Sequence, residues 1–302
     1  MIRVLARAGV PVLAVLAIAG CGSSNSSTSS TTGTSTTSTA ASGTVAAVAS
    51  QVPAKYKSKG TLNVGTEAQY APVEFLAANG HTIVGIDPDL VGAIAETMGL
   101  KARFNDAQFE AIIPGIQAGR YDLGASAFTD TKEREQKVDF VTYFTAGISF
   151  YAKSGTDPGV EGLKDLCGKT VGAEKGTVEQ EEAEAQSKAC TKEGKKAVTV
   201  LSFPGQNQVN LAIASGRAEI GMADSPVVDY QVKQNKGQFT VVGKTYAFAP
   251  YGLAVPKNSG LAQPMLEALK ELMANGKYKA ILEKWGIQEG AISNPQINGA
   301  KD

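Results

Sequence analysis

The chain is 302 residues long and 43% hydrophobic, enough to bury a substantial core in one large or two medium domains. Its 29 basic residues balance 29 acidic ones, so no strong field of either sign directs it to nucleic acid or to an anionic membrane surface. A small-molecule partner is the expectation that remains.

Residues 1–20 carry Arg3 and Arg7, then an apolar run from Val10 to Ala19, with no acidic side chain. This is the pattern of a secretory signal peptide, too short for a membrane span. Its end, Ile18-Ala19-Gly20-Cys21, resembles the bacterial lipoprotein processing site, in which the cysteine becomes the lipid-modified first residue. A free Cys21 beside an ordinary cleavage site is the alternative. Residues 21–55 then read as a lipid-anchored tether. From Gly22 to about Ser50 the chain is almost entirely Ser, Thr, Gly and Ala, with too little apolar surface to offset the entropy of ordering, so disorder is expected.

Thr61-Leu62-Asn63-Val64-Gly65 alternates as a strand and breaks into a loop, Thr66 to Pro72. Asn79-Gly80 marks a hairpin turn. A helix follows with Asp87 as N-cap, Pro88 at its first position, Leu90, Val91, Ile94 and Met98 on one face, and Gly99 as terminator. Lys101 to Asn105 is a strand. Phe109 to Ala118 is a helix with Ile112, Ile113 and Ile116 inward, Pro114 within it and Gly119 at its end. Such β-α-β-α alternation argues for a parallel sheet covered by helices on both faces.

The stretch Tyr121 to Arg134 reads as a strand, a small polar turn and a helix start capped by Asp130, with Glu133 completing a capping box. Arg134 is out of place there, because a cation in the first turn opposes the helix dipole. Beside free N–H groups, Ser126 and Thr129, it describes a carboxylate pocket. A surface arginine paired with Asp130 or Asp122 is the competing reading.

A second unit begins near Gly155. Strand Lys169 to Gly172 precedes a Gly176-Thr177 turn, an acidic helix to about Ser187, strand Val198 to Phe203 and helix Asn207 to Ser215. AGRYDLGASAF from Ala118 is then echoed by SGRAEIGMADS from Ser215, which sets Ala127 opposite Asp224. Two similar lobes would present polar residues at the C-terminal ends of their strands, with the cleft between them as the site. Tyr251 to Val255 and two amphipathic helices, ending near Trp285, return to the first lobe.

Cys167 and Cys190 lie in a chain that leaves the cytoplasm, where thiol pairs become bridges. A disulfide would add roughly 3 kcal/mol in the chain-entropy picture. Two cysteines whose chain holds one histidine, His81, make a poor zinc site, and neither metal nor cofactor is expected.

Gly65-Thr66-Glu67, Tyr70-Ala71-Pro72, Gly85-Ile86-Asp87 with its helix, Ile113-Pro114, Thr131-Lys132-Glu133-Arg134, Gly176-Thr177 and Asp224 occur in an order and spacing that resemble the family 3 extracellular solute-binding proteins of bacterial ABC importers. The resemblance covers about Lys59 to Gly286, and the members that bind polar and basic amino acids are the nearest group. It implies an α/β, two-lobed periplasmic-binding-protein fold of type II, each lobe a mostly parallel sheet flanked by helices. The lobes would be residues 56–150 and 151–248, with 249–302 returning to the first. Two hinge strands would cross near Tyr151-Ala152 and Ala247 to Ala249.

By the same resemblance, Arg134 and the Thr129 backbone hold the ligand α-carboxylate. Asp224, Ser126 and the carbonyl of Ala127 take the α-ammonium. Tyr70 and Phe109 sandwich the side chain, Glu67 reads its distal end, and Gly176, Thr177 and Val178 contribute backbone N–H groups. Relatives often carry a hydrogen-bonding side chain where this chain has Ala127 and Val178. Burying either pole of a zwitterion unpaired is costly, so a cation and an anion on opposite lobes favour closure around ligand. Glu67 favours a cationic or amide-bearing side chain over an aliphatic one.

The expected protein is therefore a monomeric lipoprotein, anchored outside the cytoplasm through Cys21, that delivers an amino acid to a membrane permease. One competitor is a secreted dehydratase on the same scaffold, resembling cyclohexadienyl dehydratase, with Glu67 as general acid. Another is a sensor ectodomain working with a separate membrane partner. No GxSxG, HExxH or CxxC motif supports a hydrolase or metalloenzyme.

Overall fold

Helices appear earlier than the low-complexity segment led us to expect. The computed structural model describes residues 43–301; residues 1–20, expected as a signal peptide, Cys21 and the expected tether up to residue 42 lie outside the described residues. Within the expected tether stand α1 (Ala46–Gln51) and α2 (Ala54–Lys59), with Val48, Val52 and Tyr56 buried. The tether thus gives way before residue 55. The reason is an apolar series, Val45, Val48, Val52 and Tyr56, that packs into the main core. Each such burial is worth about 1.5–3 kcal/mol, enough to hold helices too short to stand alone.

β1 (Thr61–Thr66) leads to a small antiparallel sheet of β2 (Gln69–Tyr70), β3 (Glu74–Leu76) and β4 (Ile83–Val84). α3 (Ile86–Thr97) is capped by Gly85, not by Asp87. A Cβ at Gly85 would come within 2.2 Å of the Val73 carbonyl, so only glycine fits. Asp87 lies buried in the first turn, accepting from the Tyr143 hydroxyl and the Ala127 N–H. β5 (Lys101–Asp106), α4 (Phe109–Gln117), running unbroken through Pro114, and β6 (Leu123–Gly124) follow. α5 (Lys132–Glu135) is capped by Thr131, whose hydroxyl accepts from the Arg134 N–H, rather than by Asp130.

β7 (Val138–Lys153) crosses to the second lobe, which holds β8 (Thr170–Glu174), α6 (Val178–Lys192), β9 (Thr199–Phe203), α7 (Gln206–Ala214), β10 (Ile220–Asp224) and α8 (Ser225–Gln234). β11 (Phe239–Pro256) crosses back to α9 (Ala262–Ala274) and α10 (Lys277–Trp285). The two hinge strands pair with each other, so both lobes share one eight-stranded sheet ordered β5-β1-β6-β11-β7-β10-β8-β9. Pairs within each lobe's outer half are parallel and those involving the hinge strands antiparallel. β7 already pairs with β10 at Ile148, so it enters lobe 2 before the expected Tyr151-Ala152. The register of β11 shifts between Val242 and Ala249, around the other expected crossing. A Cβ at Gly147 would stand 2.8 Å from the Tyr246 carbonyl, which explains a glycine at the crossing.

The internal echo is structural. Gly119 and Gly216 both end their helices in the left-handed region, at φ 73° and 75°. Asp122 N–H donates to the Asn63 carbonyl and its carboxylate accepts from Asn63 N–H; Glu219 does the same with Thr170. Lobe 2 has its own core around Phe150, Leu166, Val171 and Ile220, beside a Cys167–Cys190 disulfide. The chain then ends along β7: Gln296 and Asn298 pair with Thr142 and Phe140, and the N–H groups of Gly299 and Ala300 donate to Asp130 and Glu135.

Candidate functional site

Each lobe delivers its polar groups from strand C-terminal ends. β1 runs into Glu67 and β6 into the Ser126–Thr129 turn; β8 ends at Glu174 and β10 at Asp224. Parallel α/β sheets leave these ends open to a crevice, because the helices cover only their faces. Here they close around one cavity, nearly filled by its own side chains, with about 10 Å³ left free. Glu67, Tyr70, Phe109, Ser126, Ala127, Thr129, Arg134, Thr177, Val178 and Asp224 all line it. Gly176 sits at its edge and lines the adjoining opening instead.

Arg134 is buried at 8% exposure, and no carboxylate lies within ion-pair distance of it among the described residues. The surface-pair reading fails: Asp122 pairs with Lys59, and Asp130 accepts from Gly299. The guanidinium donates to the Thr129 carbonyl at 2.9 Å and, across the cleft, to the Gly176 carbonyl at 3.0 Å. Its centre stands 5.4 Å from the Phe109 ring, which stacks on Phe128. Burial pulls its pKa down, opposed by the charges of Glu181, Glu179 and Asp224.

The same cavity holds five buried carboxyl groups, Glu67, Glu74, Glu174, Glu179 and Asp224. Only Glu67 and Asp224 were expected. Burial, which disfavours the charged form, pushes all five upward, and mutual repulsion adds to it for Glu74, Glu174 and Glu179. Oxygens of Glu67, Glu74, Glu174 and Glu179 lack a hydrogen-bond partner among the described residues. Carboxyl groups this dry and this unpaired are complementary to a cation rich in N–H donors. Glu174 had a legible signal, an acidic residue closing a strand just before Gly176-Thr177. Glu179 was hidden in a helix rich in glutamates.

Several hydrogen bonds are already committed. Ser126 accepts from Glu67 N–H and donates to Glu74, so its hydroxyl proton is used. Gly176 N–H, expected to face a ligand, donates to the Gln180 side chain at 2.8 Å. Tyr70 donates its hydroxyl to Asp224 across the cleft, and Lys175 of lobe 2 pairs with Glu110 of lobe 1 at 2.9 Å. Ala127 adopts φ 47° as its N–H reaches back to Asp87.

The profile of the bacterial extracellular solute-binding proteins, family 3, matches residues 62–288. The chain belongs to that family. The arginine-binding protein ArgT of Corynebacterium glutamicum is 34% identical over 255 residues, covering 84% of this chain and 83% of that protein. The solved structure of an ancestral arginine-binding protein bound to arginine superposes with a TM-score of 0.69 at 37% identity, covering 75% of this chain and 98% of that one. An ancestral amino acid-binding protein, described as a precursor of cyclohexadienyl dehydratase, superposes equally well (TM-score 0.69, 31% identity, 76% and 97% covered). This is therefore a family 3 solute-binding protein with the type II periplasmic-binding fold.

Proposed function

We propose that this protein captures an amino acid with a cationic side chain, arginine foremost, and delivers it to the permease of an ABC importer. The observation that carries the reading is the charge inventory of the cavity: one guanidinium against five buried carboxyl groups, with unpartnered oxygens on both lobes. In this reading Arg134 takes the α-carboxylate, Asp224 takes the α-ammonium, and the remaining acids meet the side chain. Tyr70, Phe109, Ser126, Thr129 and the Ala127 and Gly176–Val178 backbone complete the enclosure. The arginine-binding names of ArgT and of the ancestral structure support the same ligand class. Delivery occurs outside the cytoplasm, from a monomer held to the membrane by lipidated Cys21.

Isothermal titration against the common amino acids tests the proposal. Arginine is expected to bind with a dissociation constant of about 1 μM or tighter, roughly −8 kcal/mol. No heat with any amino acid would remove the reading.

A dehydratase is the second reading, favoured by one observation: burial pushes Glu67 up to about 8, so it holds a proton near neutrality, as a general acid must. The precursor structure supports the scaffold but is itself described as a binding protein, and binding without turnover is the preferred assignment. Aromatic product formed from prephenate or arogenate would reverse that preference.

A further inference from the structure

A far larger space opens elsewhere, and it shares no lining residue with the cavity that holds the five acids. The α8 helix of lobe 2, the middle of β7 and β11, and the end of α10 with the turn Gln288–Gly290 after it bound a groove with about 680 Å³ left free. Its walls are aromatic. Tyr230 of α8 and Trp285 of α10 reach it from opposite lobes, and Phe75 links them, its ring 6.1 Å from Tyr230 and 5.6 Å from Trp285. Phe248 of β11 lines the groove at 57% exposure, a large apolar ring left in water at the hinge.

The charges of the groove are unequal. Lys284 is committed to Asp89 at 2.7 Å and Glu283 to Lys279 at 3.5 Å. Among the described residues, the side chains of Asp229 on α8, Glu289 on the turn and Lys233 on α8 have no hydrogen bond or ion pair. Two free carboxylates thus stand against one free ammonium. Burial lifts the Asp229 pKa and the charge of Glu289 adds to it, so the two acids, one from each lobe, are near enough to repel.

We propose that this groove is a second ligand site, built for a small aromatic ammonium compound whose cation sits between Asp229 and Glu289 and whose ring lies against Phe248 and Tyr230. It goes beyond amino-acid capture and does not rest on it. Free space of this size, walled by both lobes and floored by the hinge strands, suits a small molecule. An ammonium brings three N–H donors to two carboxylates that have none and relieves their mutual repulsion. Aromatic walls favour both the flat ring and the cation. An anion of the same shape meets two uncompensated acids and is turned away.

Trp285 is the sole tryptophan of the chain and lines the groove, so its fluorescence reports occupancy directly. Phenethylammonium is expected to shift that emission saturably, with a dissociation constant of about 1 mM or tighter. Phenylpropionate, which carries the same ring and the opposite charge, should bind about tenfold more weakly or worse. With thermal melting confirming the fold, the double variant Asp229→Asn, Glu289→Gln should lose about threefold or more in affinity for phenethylammonium, and Phe248→Ser about fivefold. No saturable change in Trp285 emission would overturn the site. So would equal affinity for phenylpropionate, a result needing no variant. Affinity unmoved in both the double variant and Phe248→Ser would place the probe elsewhere and overturn it as well. None of these measurements depends on what fills the interlobe cavity.

Discussion

The Tyr70 hydroxyl on lobe 1 donates to Asp224 Oδ2 on lobe 2 at 2.9 Å, and Asp224 N–H donates back to Tyr70 Oη at 3.1 Å. One phenol thus joins the lobes at the carboxylate proposed to hold the ligand ammonium. Tyr70→Phe removes both bonds and leaves a buried carboxylate short of a donor. Ligand affinity is expected to fall by about 1–3 kcal/mol with the circular dichroism unchanged. Wild-type affinity in a titration of Tyr70→Phe would contradict this.

Arg134 predicts a second outcome because it is buried. Its loss orphans the Thr129 and Gly176 carbonyls and uncovers the Phe109 face. Arg134→Ala should abolish amino-acid binding and also lower stability by about 1–3 kcal/mol. Arg134→Lys keeps the charge without the fork and should bind about tenfold more weakly or worse. Calorimetry and thermal melting of the two variants separate the effects.

Burial raises Glu67 and Glu179 from 4.5 to about 8, and Asp87 from 3.8 to about 6. A carboxyl group with a raised folded pKa binds more protons folded than unfolded. Its contribution is therefore full in acid and is lost as pH climbs to the folded value. The ligand-free protein should melt progressively lower between about pH 4.5 and 8, while the rise in melting temperature caused by arginine should grow across the same window. A ligand-free melting temperature that rises with pH there would refute the assignment.

Gly205 predicts a steric effect. An added Cβ would meet Gln69 Nε2 at 2.9 Å as well as Glu67 Oε1 at 3.0 Å, both on the opposite lobe. Gly205→Ala should hold the cleft ajar, with weaker arginine binding and a larger radius of gyration, while each lobe stays folded. Unaltered scattering in saturating arginine would count against it.

The Cys167–Cys190 bridge closes a 23-residue separation inside lobe 2. Replacing both cysteines by serine should lower stability by about 3 kcal/mol in chemical denaturation and leave arginine affinity within about twofold, because the bridge lies in the lobe 2 core away from the cavity.

Much of this was legible in local pattern. Helical spacing with a terminal glycine marked α3 and α4, and the repeated Gly-Arg-x-acidic motif proved to be the same helix-to-strand turn built twice. What could not be read required distance. Asp87 looks like a cap in isolation and becomes a buried acceptor only because Tyr143, far along the chain, reaches it. Val48, Val52 and Tyr56 were masked by their low-complexity surroundings. Glu179 stood unremarked among the glutamates of an acidic helix until the fold turned it into the cavity.

The tail along β7 has a practical consequence. Gly299 and Ala300 tie this segment to Asp130, just before the short helix that carries Arg134, and to Glu135, the last residue of that helix. Whatever tugs on that terminus, whether a purification tag, a fluorescent fusion or a surface tether, pulls directly on the guanidinium's footing. Reporters for this protein belong on the far face of lobe 2.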